Sequence, residues 1–487
     1  MIQLGDEQQW TADEVTVTDN STVRRAIGAA AIGNITEWYD FGVYAYFEPT
    51  IQKVFFDGLP KTTGTILTFG LFAVAFLVRP FGGLFFGPLA DRIGRNKVLA
   101  TTMILMAAGT FVIGIIPSES SIGLWAPFML LVARLIQGFS TGGEYGNAMT
   151  FIAEYAPDRK RGFLGSWLEF GTFTGYLLGA TLVTVAGGVL SEHQLLTWGW
   201  RIPFFVALPL GLIGVYLRSR LADTPAYAAM EAKADQDEKE RSTGGELGAI
   251  FKLWPSLLVC VALVLAWNIP NYMLTSYMPT YLTTTVPDKT GGGVSDLTSQ
   301  ILQILVIAVL LVLIPMFGRL SDRIGRKPIA LTGAIGLIVL SLPAVVLARA
   351  GSSVTSFFGL LIMGLLLICF SSTMPSTLPS LFPTPLRAGG LSIGFNVAIS
   401  LFGGTTALVV GALVSATGDL DWPAYYLIAT GIIGAIAVYL LPESNARHLW
   451  GSAPAVEERS EIKGLVEDDD VPVLATSGSS RRGGSGA

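Results

Sequence analysis

The chain has 487 residues, of which 51% are hydrophobic and 14% charged, where a soluble domain carries about a quarter charged residues. Its mean hydropathy of +0.57 points to a protein that meets lipid along much of its length and argues against a soluble enzyme or a nucleic-acid-binding domain. The formal net charge of −5 excludes little, because in such a chain the placement of charges matters more than their sum.

Residues 1–25 are polar and acidic, without the apolar run of a cleavable leader, and read as a cytoplasmic extension. A span needs about 20 apolar residues to cross roughly 30 Å of hydrocarbon. On that measure twelve spans follow, near 26–48, 64–88, 98–116, 126–153, 163–189 and 201–218, then 252–283, 299–320, 329–348, 356–382, 389–416 and 423–441. They divide into a bundle over 26–218 and a second over 251–442, joined by a charged linker, 219–250. Basic clusters at Arg24-Arg25, Arg92-Arg95-Lys97, Arg159-Lys160-Arg161 and Arg319-Arg323-Arg326-Lys327 fall on one side, which makes that side and both termini cytoplasmic. The expected location is a bacterial inner membrane. Residues 443–487 are polar, partly acidic and free of heptads, and read as a disordered tail. Cys260 and Cys369 lie within apolar runs, a pattern that suits neither a disulfide framework nor a zinc site.

The two halves echo each other. Gly87–Lys97 reads GPLADRIGRNK and Gly318–Pro328 reads GRLSDRIGRKP, each between the second and third spans of its half. Parallel repeats of this kind are a transporter plan. A short Gly-rich loop with one Asp and several Arg makes a tight turn, and its Asp can meet a helix N-terminus or a neighbouring Arg. Two copies at matching positions read as a gate. The gate set is Asp91, Arg92 and Arg95, then Asp322, Arg323 and Arg326, with Glu154 and Arg161 from a second echoed loop.

The repeated loop resembles the signature of the major facilitator superfamily, and Arg134–Gly138 resembles its second motif. GNITEWYDFGVY (33–44), VRPFGGLFFGPLADRIGR (78–95), QGFSTGGEY (137–145), EYAPDRKRGFLGSWLEFG (154–171) and WGWRIPFFVALPLG (198–211) resemble its metabolite:proton symporter family. YMLTSYMPTYL (272–282) and STLPSLFPTPLR (376–387) are most similar to its proline/glycine betaine symporters. The resemblance covers roughly residues 24–442. It implies an all-α membrane protein of twelve helices in two pseudo-symmetric six-helix bundles, working by alternating access. Osmosensing members end in a long coiled coil; residues 443–487 show no heptad pattern, so osmotic activation through such a tail is not expected.

The histidines, His193 and His448, lie outside the apolar runs, so a proton carrier within the membrane must be a carboxylate. Ionisable residues inside spans are functional candidates by default. Glu37 lies roughly 16 Å into the first span and Asp40 roughly 21 Å, near mid-bilayer, and three residues apart they share a face. Arg79 lies roughly 18 Å from the cytoplasmic edge. Glu37, Asp40, Glu144 and Glu169 stand against two bases, Arg79 and Arg134. The excess acid suits proton coupling, with Glu37, Asp40, Arg134 and Glu144 as the expected set. Glu169 reads equally well as part of a structural pair.

Rings near the acids can hold an ammonium, and an Arg can hold a carboxylate, which together suit a zwitterion. The expected substrate-binding residues are Tyr44, Arg79, Gln137, Trp267, Asn271, Tyr272 and Asn396. The resemblance adds weight to Tyr44 and Trp267 in particular. Packing is the competing reading for such rings. There is no phosphate-binding G-x-x-x-x-G-K-[ST] loop and no metal-ligand cluster, so no nucleotide, cofactor or metal is expected. The partners are a small-molecule substrate, protons and the lipid bilayer, with no nucleic acid, and the chain is expected to act as a monomer. The expected function is proton-coupled uptake of a proline- or betaine-like solute. Alternatives are a symporter of organic anions and a non-transporting sensor on the same scaffold.

Overall fold

The computed structural model describes residues 10–93, 95–142, 144–219, 243–466 and 473–474. Among the described residues, twelve long helical segments make two six-helix halves. The first half holds α1 (Asn20–Tyr46), α2 (Lys61–Leu77 and Arg79–Ile93), α3 (Arg95–Ile115), α4 (Trp125–Ser140 and Glu144–Tyr155), α5 (Arg161–Val189) and α6 (Arg201–Ser219). The second holds α7 (Trp254–Thr290), α8 (Asp296–Ile324), α9 (Arg326–Ala348), α10 (Ser353–Leu381), α11 (Thr384–Thr417) and α12 (Trp422–Leu440). Most of the linker expected at 219–250 lies outside the described residues.

Eight described helices are long and apolar enough to cross a membrane, or nine with the bent Glu192–Gly199 and Arg201–Tyr216 pair. The spans that fall short are informative. The apolar part of α3 is short, Ala100–Ile115. α1 carries Glu37 and Asp40, and α4 carries Arg134 and Glu144 and is interrupted after Ser140. Polar residues such as Glu37 and Asp40 lower the hydropathy of α1, while α4 falls short because its apolar first piece is only 16 residues long.

Small residues set the closest approaches. A Cβ on Gly171, Gly175 or Gly179 of α5 would meet the α1 backbone at Ala31, Ile35 and Val43. One on Gly138 or Gly142 of α4 would overlap the α2 backbone at Ala75 and Arg79. Such stripes let helices touch where lipid offers no hydrophobic driving force. Large apolar residues such as Phe81, Leu84, Ile436 and Tyr439 remain exposed on the outer surface, where they face the bilayer.

α7 and α11 are not regular. α7 passes through π-helical turns at Met273–Tyr277 and Tyr281–Thr285, and α11 through one at Ile399–Gly403. Turns of this kind cluster at functional sites, because each re-aims the side chains that follow it.

The expectation of a disordered tail from 443 is corrected over 443–466. Two short parallel ladders tie the ends together, β1 (Trp10–Thr11) with β4 (Val473–Leu474) and β2 (Thr16–Val17) with β3 (Ala455–Val456). Between them Arg161 donates to the Arg447 carbonyl at 2.9 Å, Arg387 to that of Trp450 at 2.8 Å, and the Ala455 amide to Asp158 at 3.1 Å. Leu449 and Val456 are buried. The polar composition is satisfied by hydrogen bonds to the bundle rather than by water.

Candidate functional site

Two layers of buried polar groups lie at the centre. The first belongs to the N-terminal half. Glu37 of α1 accepts from Arg79 Nη2 of α2 at 2.8 Å, with both side chains almost wholly buried. The same nitrogen reaches the Thr141 carbonyl at 3.4 Å. Arg79 Nε and Nη1 have no hydrogen-bond partner among the described residues, although Phe41 and Phe76 lie within cation–π reach of its guanidinium. Removing one partner from such a pair strands a charge, at about 3–5 kcal/mol.

Asp40 sits one turn further along α1, buried, with neither carboxylate oxygen hydrogen-bonded among the described residues. Thr110, Arg134 and Glu37 are its electrostatic neighbours. The Thr110 hydroxyl is engaged elsewhere, donating to the Met106 carbonyl at 3.1 Å and accepting from Gln137 at 2.5 Å. Arg134 donates to the Leu71 and Phe72 carbonyls, both at 3.3 Å, and to Gln137 Oε1 at 3.0 Å.

The second layer joins the halves. Glu169 of α5 accepts from the Tyr145 hydroxyl of α4 and from Thr172 at 2.9 Å. Trp267 of α7 and Ser371 of α10 face the same carboxylate, and the Trp267 indole donates to Ser371 at 3.0 Å. Phe395 of α11 stacks on Tyr145 with ring centroids 4.8 Å apart. Trp38 contacts Tyr145, Tyr176 and Tyr272. The result is a closed aromatic wall around a carboxylate, contributed by both halves.

Several expected site residues sit differently from their sequence reading. The ring of Tyr44 is not free to cage a ligand ammonium, because Arg134 lies 4.1 Å over it and Phe72 stacks on it. Gln137 is committed to Arg134 and Thr110. Asn396 donates to the Gly142 carbonyl at 2.5 Å and to that of Ser392 at 2.9 Å, so it spans the halves at the break in α4. Asn271 and Tyr272 are buried, and Asn271 Oδ1 and the Tyr272 hydroxyl lack partners among the described residues. Glu144 is buried in the first turn after the break. Glu169, which sequence position leaves ambiguous, is central. Its only signal in the sequence was that of any acid inside a span; which way it faces on α5 is set by packing.

The halves meet on both faces. On the face bearing the chain ends, Asp322 accepts from the Gly162 and Phe163 amides at the start of α5, each at 2.7 Å. Glu154 pairs with Arg387 at 2.6 Å. Arg161 bonds Asp158 and the Ala153 carbonyl, and Arg326 bonds Ser376 and Ser444. Arg323 is exposed. The side chains of Asp91, Arg92 and Arg95 lie outside the described residues. On the opposite face Glu48 accepts from Thr280 at 2.6 Å and Lys61 pairs with Asp288 at 3.0 Å.

Two parallel six-helix halves, closed on both faces around buried charge, define a membrane carrier of the alternating-access class. Residues 26–248 match the family model "Sugar (and other) transporter" and residues 292–468 match "Major Facilitator Superfamily". The proton:xylose symporter XylE superposes with a TM-score of 0.69 at 19% identity, covering 89% of this chain and 98% of that one, which speaks for the fold alone. The proline/betaine transporter of Escherichia coli (strain K12) is 43% identical over 463 residues, covering 94% of this chain and 91% of the relative. The ectoine/proline transporter of Corynebacterium glutamicum is 39% identical over 479 residues, covering 96% and 94%. The chain therefore belongs to the major facilitator superfamily, within the family of the proline/betaine transporters.

Proposed function

We propose that this protein takes up a small zwitterionic compatible solute of the proline or betaine type together with protons, by alternating access. On this reading the face with both chain ends is cytoplasmic, the bilayer is the bacterial inner membrane, and the monomer is the working unit. The relatives' names supply the substrate class. The observation that carries the reading is Arg79. It is fully buried and ion-paired through Nη2, and among the described residues Nε and Nη1 have no hydrogen-bond partner and lie beside aromatic rings. Those two donors suit a substrate carboxylate, and the rings of Trp38 and Tyr272, in contact at 6.2 Å in this closed state, suit its ammonium once they part.

Asp40 is the proposed proton carrier. A bare carboxylate in a dry site is held at high energy, and a proton relieves it. Glu37, held by Arg79, is the fixed charge that orients the binding arginine. The test uses vesicles with an imposed pH gradient and labelled proline. Asp40→Asn should lower gradient-driven uptake at least about a hundredfold while leaving exchange of labelled for unlabelled solute largely intact. Undiminished gradient-driven uptake would refute the assignment. Competition by betaine but not by 2-oxoglutarate is the expected substrate pattern, and the reverse would favour an organic-anion carrier.

A further inference from the structure

On the face away from the chain ends, a second buried acid remains outside the mechanism given so far. Glu48 opens the short helix Glu48–Phe55 between α1 and α2 and is only 2% exposed. Its Oε2 accepts from Thr280 of α7, so it joins the two halves, while Oε1 has no hydrogen-bond partner among the described residues. It is not alone. The Tyr46 hydroxyl, Ser276 Oγ, Ser299 Oγ and both amide atoms of Gln303 are also buried and unpartnered among the described residues. Ser276 lies one turn before Thr280 on α7, and Gln303 one turn after Ser299 on α8. A cleft of about 310 Å³ lined by Tyr46, Thr283, Asp296 and Ser299, among others, opens beside them.

Unsatisfied polar groups are rare in a packed interior and call for an explanation; water reaching them in another state of the molecule supplies one. The charges around Glu48 are sparse. Lys61 on α2 and Asp296 at the start of α8 act on it, and Lys61 is paired to Asp288. Lys53, on the same short helix, pairs with Glu192 at 2.8 Å. Glu119 stands on the packed helix Glu119–Ile122, and His193 is exposed beside Glu192.

We infer that Glu48 is a proton-dependent latch: closing the halves on this face buries its carboxyl against Thr280, and closure is completed by taking up a proton from the outer solution. The closed arrangement strips water from Glu48 and gives back one hydrogen bond. A charged carboxylate resists that exchange and a neutral one does not. Outer acid then drives the carrier from outward-open to closed, the direction that proton-coupled uptake needs. The inference rests on the uptake reading for its direction, but its test does not require the substrate to be known.

The test places Gln303→Cys in a Cys260→Ser, Cys369→Ser background and labels it from outside with a membrane-impermeant thiol reagent. Rates are compared between about pH 5.5 and about pH 7.5, with and without Glu48→Gln. Thiol chemistry is common to both proteins and cancels in the ratio. The Glu48 protein should show an additional loss of labelling at the lower pH, roughly threefold or more, that Glu48→Gln lacks. Equal pH ratios in the two proteins, or a Gln303→Cys that never labels, would overturn the latch. Should Glu48→Gln fail to insert, Glu48→Asp keeps the carboxyl. It should retain a pH-dependent ratio, and a pH-independent one overturns the latch. Gradient-driven proline uptake by the parent is read separately, so a wrong substrate class shows there and leaves the labelling result standing.

Discussion

The two halves share a fold and a loop signature but bury different chemistry. Between the faces, the N-terminal half buries Glu37, Asp40, Arg79, Arg134, Glu144 and Glu169. Among the described residues of the C-terminal half, the buried charges are Arg326 and Arg387, both at the face bearing the chain ends. Elsewhere it offers neutral groups to the centre, namely Trp267, Asn271, Tyr272, Ser371 and Asn396. The difference separates two tasks that a symmetric carrier would mix. On the proposed function, one half holds the charges that serve proton and solute. The other supplies rings, amides and the irregular turns of α7 and α11 that close over them.

The sharpest way to break this comparison is at Glu37. If its charge serves mainly to hold Arg79, Glu37→Gln should do more than impair coupling. It leaves a buried guanidinium uncompensated, at about 3–5 kcal/mol, and the protein should accumulate poorly and lose heat stability in detergent. Adding Arg79→Gln should restore folding without restoring uptake. A stable Glu37→Gln protein with normal exchange would mean that the pair is not the structural centre of the N-terminal half. Asp40→Asn, by contrast, removes a carboxyl whose oxygens make no hydrogen bond of good geometry among the described residues, and should insert normally.

Asp322 offers a smaller effect and sharpens the comparison from the other side. Here the C-terminal half lends a charge to the N-terminal half, capping the first amides of α5. Asp322→Asn keeps an acceptor but loses the charge and one of the two bonds, worth about 1–2 kcal/mol. The closed state of that face should lose population roughly tenfold. The readout is faster thiol labelling of Ser166→Cys, which lies beside Gly318 in the closed state, in inverted vesicles. An unchanged rate would mean that the face is held by the remaining contacts.

Much of this arrangement was legible in the sequence. The repeated DRIGR strings mark the halves, and hydropathy with Lys and Arg placement marks the spans, because lipid imposes a length and a polarity on each. Glu37, Asp40, Arg79 and Arg134 stand out because charge is rare in spans. Partner choice was not legible. Nothing in the spacing says that Arg79 takes Glu37 while Arg134 turns to carbonyls and to Tyr44, since that depends on how α4 lies against α2 at Gly138 and Gly142. The π-helical turns carry no composition signal. The docked tail was missed for a similar reason: two-residue ladders have no periodicity, and a polar segment looks the same whether water or a neighbouring backbone satisfies it.

The docked tail also bears the smallest predicted effect, at His448, where the C-terminal end of the chain lies against the N-terminal half. Burial lowers the imidazole below its ordinary range, while the nearby Asp158 carboxylate pulls the other way without prevailing. The docked histidine is therefore neutral where a free one would begin to charge. As pH falls through the ordinary histidine value of about 6.5, the undocked tail binds a proton that the docked tail refuses, so docking weakens on acidification and is fully present above that range. Hydrogen exchange at Arg447–Val456 should accordingly rise modestly as pH drops below about 6.5, after correction for intrinsic rates, and His448→Gln should flatten the rise. A slope of the opposite sign would mean that Asp158 prevails. The histidine would then strengthen the strap in acid, and charge would bind the C-terminal tail to the N-terminal half more tightly than the apolar burial of Leu449 and Val456 suggests.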